Sequence, residues 1–134
     1  MDTEVMVLGL LVDSGAAARL VDAWLDGQFV LCCAIAQRSE VGAVLKREEI
    51  AAYIEPMRGA QFEADLARRS RPLTRIRLTE RGGDPASNAL LGLAEAGQVD
   101  VLVVADDSPL RGLGMHGAVK IRSAREFSAV LAVE

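Results

Sequence analysis

Along this chain, short apolar runs rich in β-branched residues alternate with stretches of helical periodicity. That alternation restricts the fold more than any other feature, because it implies a parallel sheet covered by helices. The clearest run is Val99-Asp100-Val101-Leu102-Val103-Val104, which reads as a buried strand. Gln28 to Ala34 reads as another. Leu73 to Leu78 alternates apolar and basic side chains and suggests a short strand near an edge, and Ala118 to Ile121 is a further small strand. Between these runs, Ala16 to Leu25 places Ala17, Leu20, Val21, Trp24 and Leu25 on one helical face, and Gly27 is a natural stop. Helical spacing returns over 37–47, over 46–58 (starting near Glu48 and stopping about Pro56) and over Gln61 to Arg69. The loop Gly82-Gly83-Asp84-Pro85 launches a helix with Ala89, Leu90, Leu93 and Ala94 on one face, ending at Gly97. Ser123 caps a last helix, with Glu126 in the box position. Val5 to Val12 is apolar throughout, and periodicity does not separate a strand from a helix there.

The expected architecture is a single domain over 1–134, a three-layer α/β/α fold with a mainly parallel sheet of four to five strands. A chain of 134 residues suits one hydrophobic core. With 51% hydrophobic but only 4% aromatic residues, that core must be built from Leu, Val and Ala. The longest apolar run falls well short of the ~18 residues of a membrane span, and Met1-Asp2-Thr3-Glu4 does not read as a secretory signal. Two adjacent cysteines, Cys32 and Cys33, make no disulfide framework and point to a reducing cytoplasm. The formal charge of −4 argues against a globally basic nucleic-acid binder.

In doubly wound sheets ligands sit beyond the carboxyl ends of the strands, and several residues at such places here are acidic. Asp106 follows the Val99–Val104 run, Asp84 stands at the approach to a helix, Glu40 falls early in the helix after the Cys-Cys run, and Asp2 or Asp13 flanks the first apolar run. Oxygen-only clusters of this kind suit Mg²⁺ or Mn²⁺, and such a metal orients a water for attack on a phosphodiester. The same acids also serve as helix caps and loop solubilisers, so spacing alone leaves both readings open.

The order of motifs adds to this. Asp2-Thr3-Glu4-Val5-Met6-Val7 resembles the opening D-T-N-V-L-V of the PIN-domain family, in particular the toxin components of toxin–antitoxin pairs. Ser39-Glu40-Val41 with Val44-Leu45 is similar to its E-E-L-x-x-V-L helix. Asp84-Pro85-Ala86-Ser87-Asn88 resembles D-P-x-D-N, Val103-Val104-Ala105-Asp106 resembles V-T-G-D, and Val119-Lys120-Ile121 with Glu126-Phe127 resembles the closing segment. The resemblance implies a cytoplasmic, Mg²⁺- or Mn²⁺-dependent endoribonuclease acting on RNA, with an antitoxin protein as partner. Its acids map to Asp2, Glu40, the position of Ser87, and Asp106, with Asp84 a substitute for Ser87. As metal ligands the resemblance gives Asp2, Glu40 and Asp106.

Three departures accompany the likeness. Ser87 and Ser108 stand where acids are expected, and Glu4 replaces the Asn. The family also has a central strand ahead of its first Asp, whereas only Met1 precedes Asp2 here. Two outcomes are open: a gap in the sheet, or Val5 to Val12 drawn in as the first strand with Asp13 at its end. An open gap invites strand addition, and a homodimer is expected from it. A catalytically impaired module binding RNA or a protein is the rival reading.

Three further features have competing readings. Arg68, Arg69, Arg71, Arg75, Arg77 and Arg81 crowd one segment, as phosphate ligands or as a charged edge. Gly112-Leu113-Gly114-Met115-His116-Gly117 matches G-x-G-x-x-G but lacks the required strand and helix around it, and reads as a flexible loop. Cys32 and Cys33 point to opposite faces of a strand and read as core filler.

Overall fold

A computed structural model describes residues 1–133. The first apolar run resolves as a helix, α1 (Thr3–Leu11), and not as a strand. Asp2 stands at its N-cap with φ −65° and ψ 146°, and Asp13 lies beyond its C-terminal end, exposed. The alternative in which Val5 to Val12 supplies a strand ending at Asp13 is therefore corrected. The physical reason is burial: Thr3, Val5, Met6, Val7, Gly9 and Leu10 are all buried, so the helix needs no polar face.

The following elements are α2 (Ala16–Leu25), β1 (Cys32–Ala34), α3 (Ile35–Leu45), a single turn α4 (Glu48–Ala51) and α5 (Pro56–Arg69). Next come β2 (Arg71–Leu73), α6 (Pro85–Ala96), β3 (Val101–Val104), a 3-10 helix (Pro109–Leu113), β4 (Met115–His116), β5 (Val119–Ser123) and α7 (Ala124–Val133). Pro56, expected to stop a helix, instead starts α5, where its missing N–H costs nothing. The expected strand over Leu73 to Leu78 is displaced: pairing covers only Arg71–Leu73, and beyond it Leu78 is 93% exposed. The glycine-rich stretch, read as a loop, ends the 3-10 helix and contributes β4. Ser123 and Glu126 form the expected capping box, with N–H···O distances of 2.9 and 3.1 Å.

The fold is α/β, but the expected four- to five-stranded sheet is not formed. Strands β1 and β2 pair in parallel as one small sheet. Strand β3 pairs in parallel with β5, and β5 pairs antiparallel with β4, as a second. Among the described residues no strand bridges β1 and β3, so the sheet is split. Three apolar clusters follow this division. One gathers Met6, Leu10, Trp24, Val41, Phe62 and Leu66 around the β1 side, and another gathers Leu91, Leu102, Val104 and Ile121 around the β3 side. A third joins Val5, Leu20, Val103 and Ala124, tying α1 and α2 to β3 and α7. Trp24 is core, edge-to-face with Phe62 at 5.7 Å between ring centroids. Among the described residues no helix is long and apolar enough to cross a membrane.

Helices α1 and α2 approach closely at Gly9. A Cβ there would lie 2.5 Å from Val21 Cγ2 and 2.7 Å from the Ala17 carbonyl oxygen. Gly9→Ala is therefore expected to lower stability by about 1–2 kcal/mol through overpacking, a fall in Tm of roughly 4–8 °C by calorimetry. Gly59 in α5 is the contrasting case, because its added Cβ would meet Ile54 Cγ2 at 3.8 Å, an ordinary contact. Gly59→Ala should raise Tm by a few degrees, through a helix-propensity gain of ~0.5–1 kcal/mol.

Candidate functional site

The split sheet determines where the acids fall. The Asp2 backbone N–H donates to the Val103 carbonyl at 2.8 Å, which fixes the start of α1 beside the carboxyl end of β3. The Asp2 side chain then borders a cleft of about 220 Å³. Glu40, exposed on α3, lines the same cleft, with Thr3 and Gln37 beside it and the first turns of α6 (Ala86, Ala89) opposite. Two of the acids expected from the sequence are thus brought to one cleft from separate elements.

Asp106 opens elsewhere. It borders a neighbouring cleft of about 600 Å³ with Glu4, Asp107, Arg19 and Arg125. Its backbone carbonyl accepts from Arg111 Nη1 at 2.7 Å. Ser108, at a position where the resemblance expects an acid, accepts from the Leu110 N–H at 3.2 Å and so caps the 3-10 helix. Asp84 is the N-cap of α6. It accepts from the Ser87 backbone N–H and from the Ser87 hydroxyl, both at 2.9 Å. These two bonds, the backbone one first, hold the Asp84 carboxyl below the usual range. The carboxylate therefore sits at the partly positive end of α6, and Ser87 is its partner.

Among the described residues, no group of three or more His, Cys, Asp or Glu side chains could hold a metal ion. Asp106 thus does not join Asp2 and Glu40 in a three-acid cage. Two carboxylates in one cleft remain, which matches the way Mg²⁺ is commonly held, by one or two carboxylates with waters and phosphate oxygens. Asp2 and Glu40 are the residues of this cleft that could hold a divalent cation in that open form.

Five of the six clustered arginines bind the protein itself. Arg69 donates to the Leu25 carbonyl at 2.9 Å and lies over Trp24, and Arg71 donates to the Gly97 carbonyl at 2.7 Å. Arg77 faces Glu95 at 3.7 Å, Arg68 faces Asp65 at 3.9 Å, and Arg81 Nη1 donates to His116 Nδ1 at 3.0 Å. Because guanidinium only donates, His116 Nδ1 is an acceptor and Nε2 carries the proton given to Glu95 at 2.7 Å. His116 is 5% exposed, and this network pins the segment before α6 to β4. Sequence reading missed it because its members lie 21 and 35 residues apart. Cys33 is fully buried and its thiol is pushed up to about 11, chiefly by burial, whereas Cys32 is half-buried.

A depressed Asp84 pKa means the ionised carboxyl stabilises the fold. That contribution is present above the unfolded-state pKa and is lost as pH falls through the folded one. Denaturant titrations between about pH 6 and pH 2 should show stability falling less steeply for Asp84→Ala than for the unaltered protein. Ser87→Ala should behave as an intermediate, since the backbone N–H bond survives.

The family described as PIN domain matches residues 1–108, most of the chain. No curated protein and no solved structure matches. Domains of this family are generally nuclease-like and generally use divalent metal ions. Since that match covers well over half of the chain, the chain belongs to the PIN domain family.

Proposed function

We propose that this protein is an endoribonuclease that hydrolyses RNA phosphodiesters with Mg²⁺ or Mn²⁺ at the Asp2–Glu40 cleft. One observation carries the reading: two acids distant in sequence line a single cleft at the head of α6, in a chain of a nuclease-like family. Asp2 and Glu40 hold the cation, which when bound makes water more acidic and offsets phosphate charge. Apolar Leu90 and Leu93 form the floor of the cleft, and Thr3 and Gln37 border it beside the acids. Asp84 acts by fixing the first turn of α6, whose Ala86 and Ala89 wall the cleft. The likeness to toxin components extends the reading to a toxin–antitoxin pair, with a protein antitoxin as partner.

A second reading is favoured by the same geometry. Ser87 and Ser108 stand where the resemblance expects acids, and Asp106 borders a separate cleft, which leaves two carboxylates at the Asp2–Glu40 cleft. A PIN-domain module with impaired hydrolysis, retaining RNA or protein binding, follows if the cation does not bind.

Calorimetric titration with Mn²⁺ separates the two readings. Binding in the sub-millimolar range, lost in Asp2→Asn and Glu40→Gln, supports the nuclease. Cleavage of a single-stranded RNA should then fall on the order of 100-fold in each variant. Asp106→Asn is the comparison: a loss as large as that of Asp2→Asn would place Asp106 at the cation too. Absence of Mn²⁺ binding at millimolar concentration would sink the nuclease reading in favour of the impaired module.

A further inference from the structure

The buried ring of His116 holds two charged groups that respond differently to a proton. Nε2 donates to Glu95 Oε2 of α6 at 2.7 Å, and Nδ1 accepts from Arg81 Nη1 at 3.0 Å. Glu95 accepts from Nε2 whether the ring is neutral or charged. Arg81 has no such freedom. A guanidinium only donates and stays charged, so a protonated Nδ1 offers it no acceptor and repels it. Burial of the ring sharpens the contrast, because little water screens the two cations.

Few other contacts hold the stretch that carries Arg81. Upstream, the Arg77 N–H donates to the Gly92 carbonyl at 3.0 Å, and downstream the Gly82 N–H donates to Asn88 Oδ1 at 2.7 Å. Among the described residues, the hydrogen bonds that cross from 78–81 to other elements both come from Arg81. One is the bond to His116, and the other is a longer one of 3.4 Å to the Met115 carbonyl. Leu78, Glu80 and Arg81 are exposed, so burial adds little. The remaining charges near the ring are accounted for. Glu95 is the one charged residue of α6, and Arg77 reaches its carboxylate at 3.7 Å. Lys120 and Arg122 alternate with buried Val119 and Ile121 on β5, so they project away from the face that His116 shares with Val119. Arg111 of the 3-10 helix turns to the Asp106 carbonyl and to Glu126.

We propose that the Arg81–His116 contact is a proton-operated latch: a proton taken from solvent at Nδ1 expels Arg81 and frees residues 78–81 from β4, while Glu95 keeps His116 on α6. Histidine is the side chain that exchanges a proton between about pH 5 and 8, so the latch is closed at the upper end of that range and open at the lower. The Glu95 carboxylate balances the imidazolium, which lets the ring charge in place instead of leaving the core. The freed stretch lies in the connection between β2 and α6 and runs into Gly82-Gly83-Asp84. Opening therefore loosens that connection and breaks no ladder bond of either sheet. The stretch is suited to such release, since few buried contacts oppose local opening there.

Backbone amide relaxation and the ring-nitrogen shifts of His116, followed by NMR on the full chain from about pH 8 to about pH 5, test this. At the upper end the ring should carry its proton on Nε2. As Nδ1 takes up its own, order parameters of residues 78–81 should fall from about 0.85 to below about 0.6, with the same midpoint as the ring. In Arg81→Met the same residues should be mobile at both ends of the range. In His116→Asn, whose side-chain oxygen stands in for Nδ1 as an acceptor and does not titrate, they should stay ordered throughout. Arg81→Met decides alone if the His116 variant fails to fold. Residues 78–81 that keep their order while the ring charges would overturn the proposal. So would a ring that stays neutral down to about pH 5, a proton on Nδ1 at about pH 8, or an equal loss of order along the whole chain. Arg81→Met with an unaltered pH response would overturn it as well. None of these readouts depends on RNA cleavage or metal binding.

Discussion

Helix α1 is the element on which the rest of the structure leans. It is apolar on nearly every side, and it starts from a hydrogen bond between the Asp2 N–H and the Val103 carbonyl. Met6, Val7 and Leu10 enter the cluster around β1, and Val5 enters the one that reaches β3 and α7. With no strand linking the two sheets, burial of this helix does much of the joining that a continuous hydrogen-bonded ladder performs in an unbroken sheet. Its close packing on α2 at Gly9 leaves no room for adjustment.

The candidate site inherits this arrangement. Asp2 is placed by the start of α1, Glu40 by α3 as it leaves β1, and the opposing wall by α6. Helices α1 and α3 meet in the cluster around β1, whereas α6 belongs to the cluster around β3. Asp106 leaves β3 in a direction set by the turn into the 3-10 helix, where Ser108 and Arg111 hold the backbone. Serines at Ser87 and Ser108 stabilise helix starts, a task for which a neutral hydroxyl suffices.

Much of this was legible beforehand where the cause is local. The extent of α2, the capping of α6 by Asp84 and the Ser123–Glu126 box depend on residues within a few positions of one another. The burial of Trp24 and Cys33 followed from spacing and alternation. The segments that defied reading were those where local signals are silent. Val5 to Val12 carries no period, and its state was decided by burial on most of its sides, with Leu8 left exposed. Leu73 to Leu78 alternates like a strand, yet only Arg71–Leu73 found a partner edge in β1. The arginine segment read either as phosphate ligands or as a charged edge, and carbonyls at Leu25 and Gly97, with the side chains of Glu95 and His116, turn out to accept from part of it.

The sequence by itself determined the class of fold, the family and which acids were available, because hydrophobic period, caps and motif order are properties of neighbouring residues. Tertiary structure alone decided which acids meet. Asp2 and Glu40 share a cleft while Asp106 faces another, because their separation depends on how three helices and two sheet fragments pack across more than a hundred residues. It likewise decided that the sheet is split, since a strand exists only where a second edge is there to pair with it.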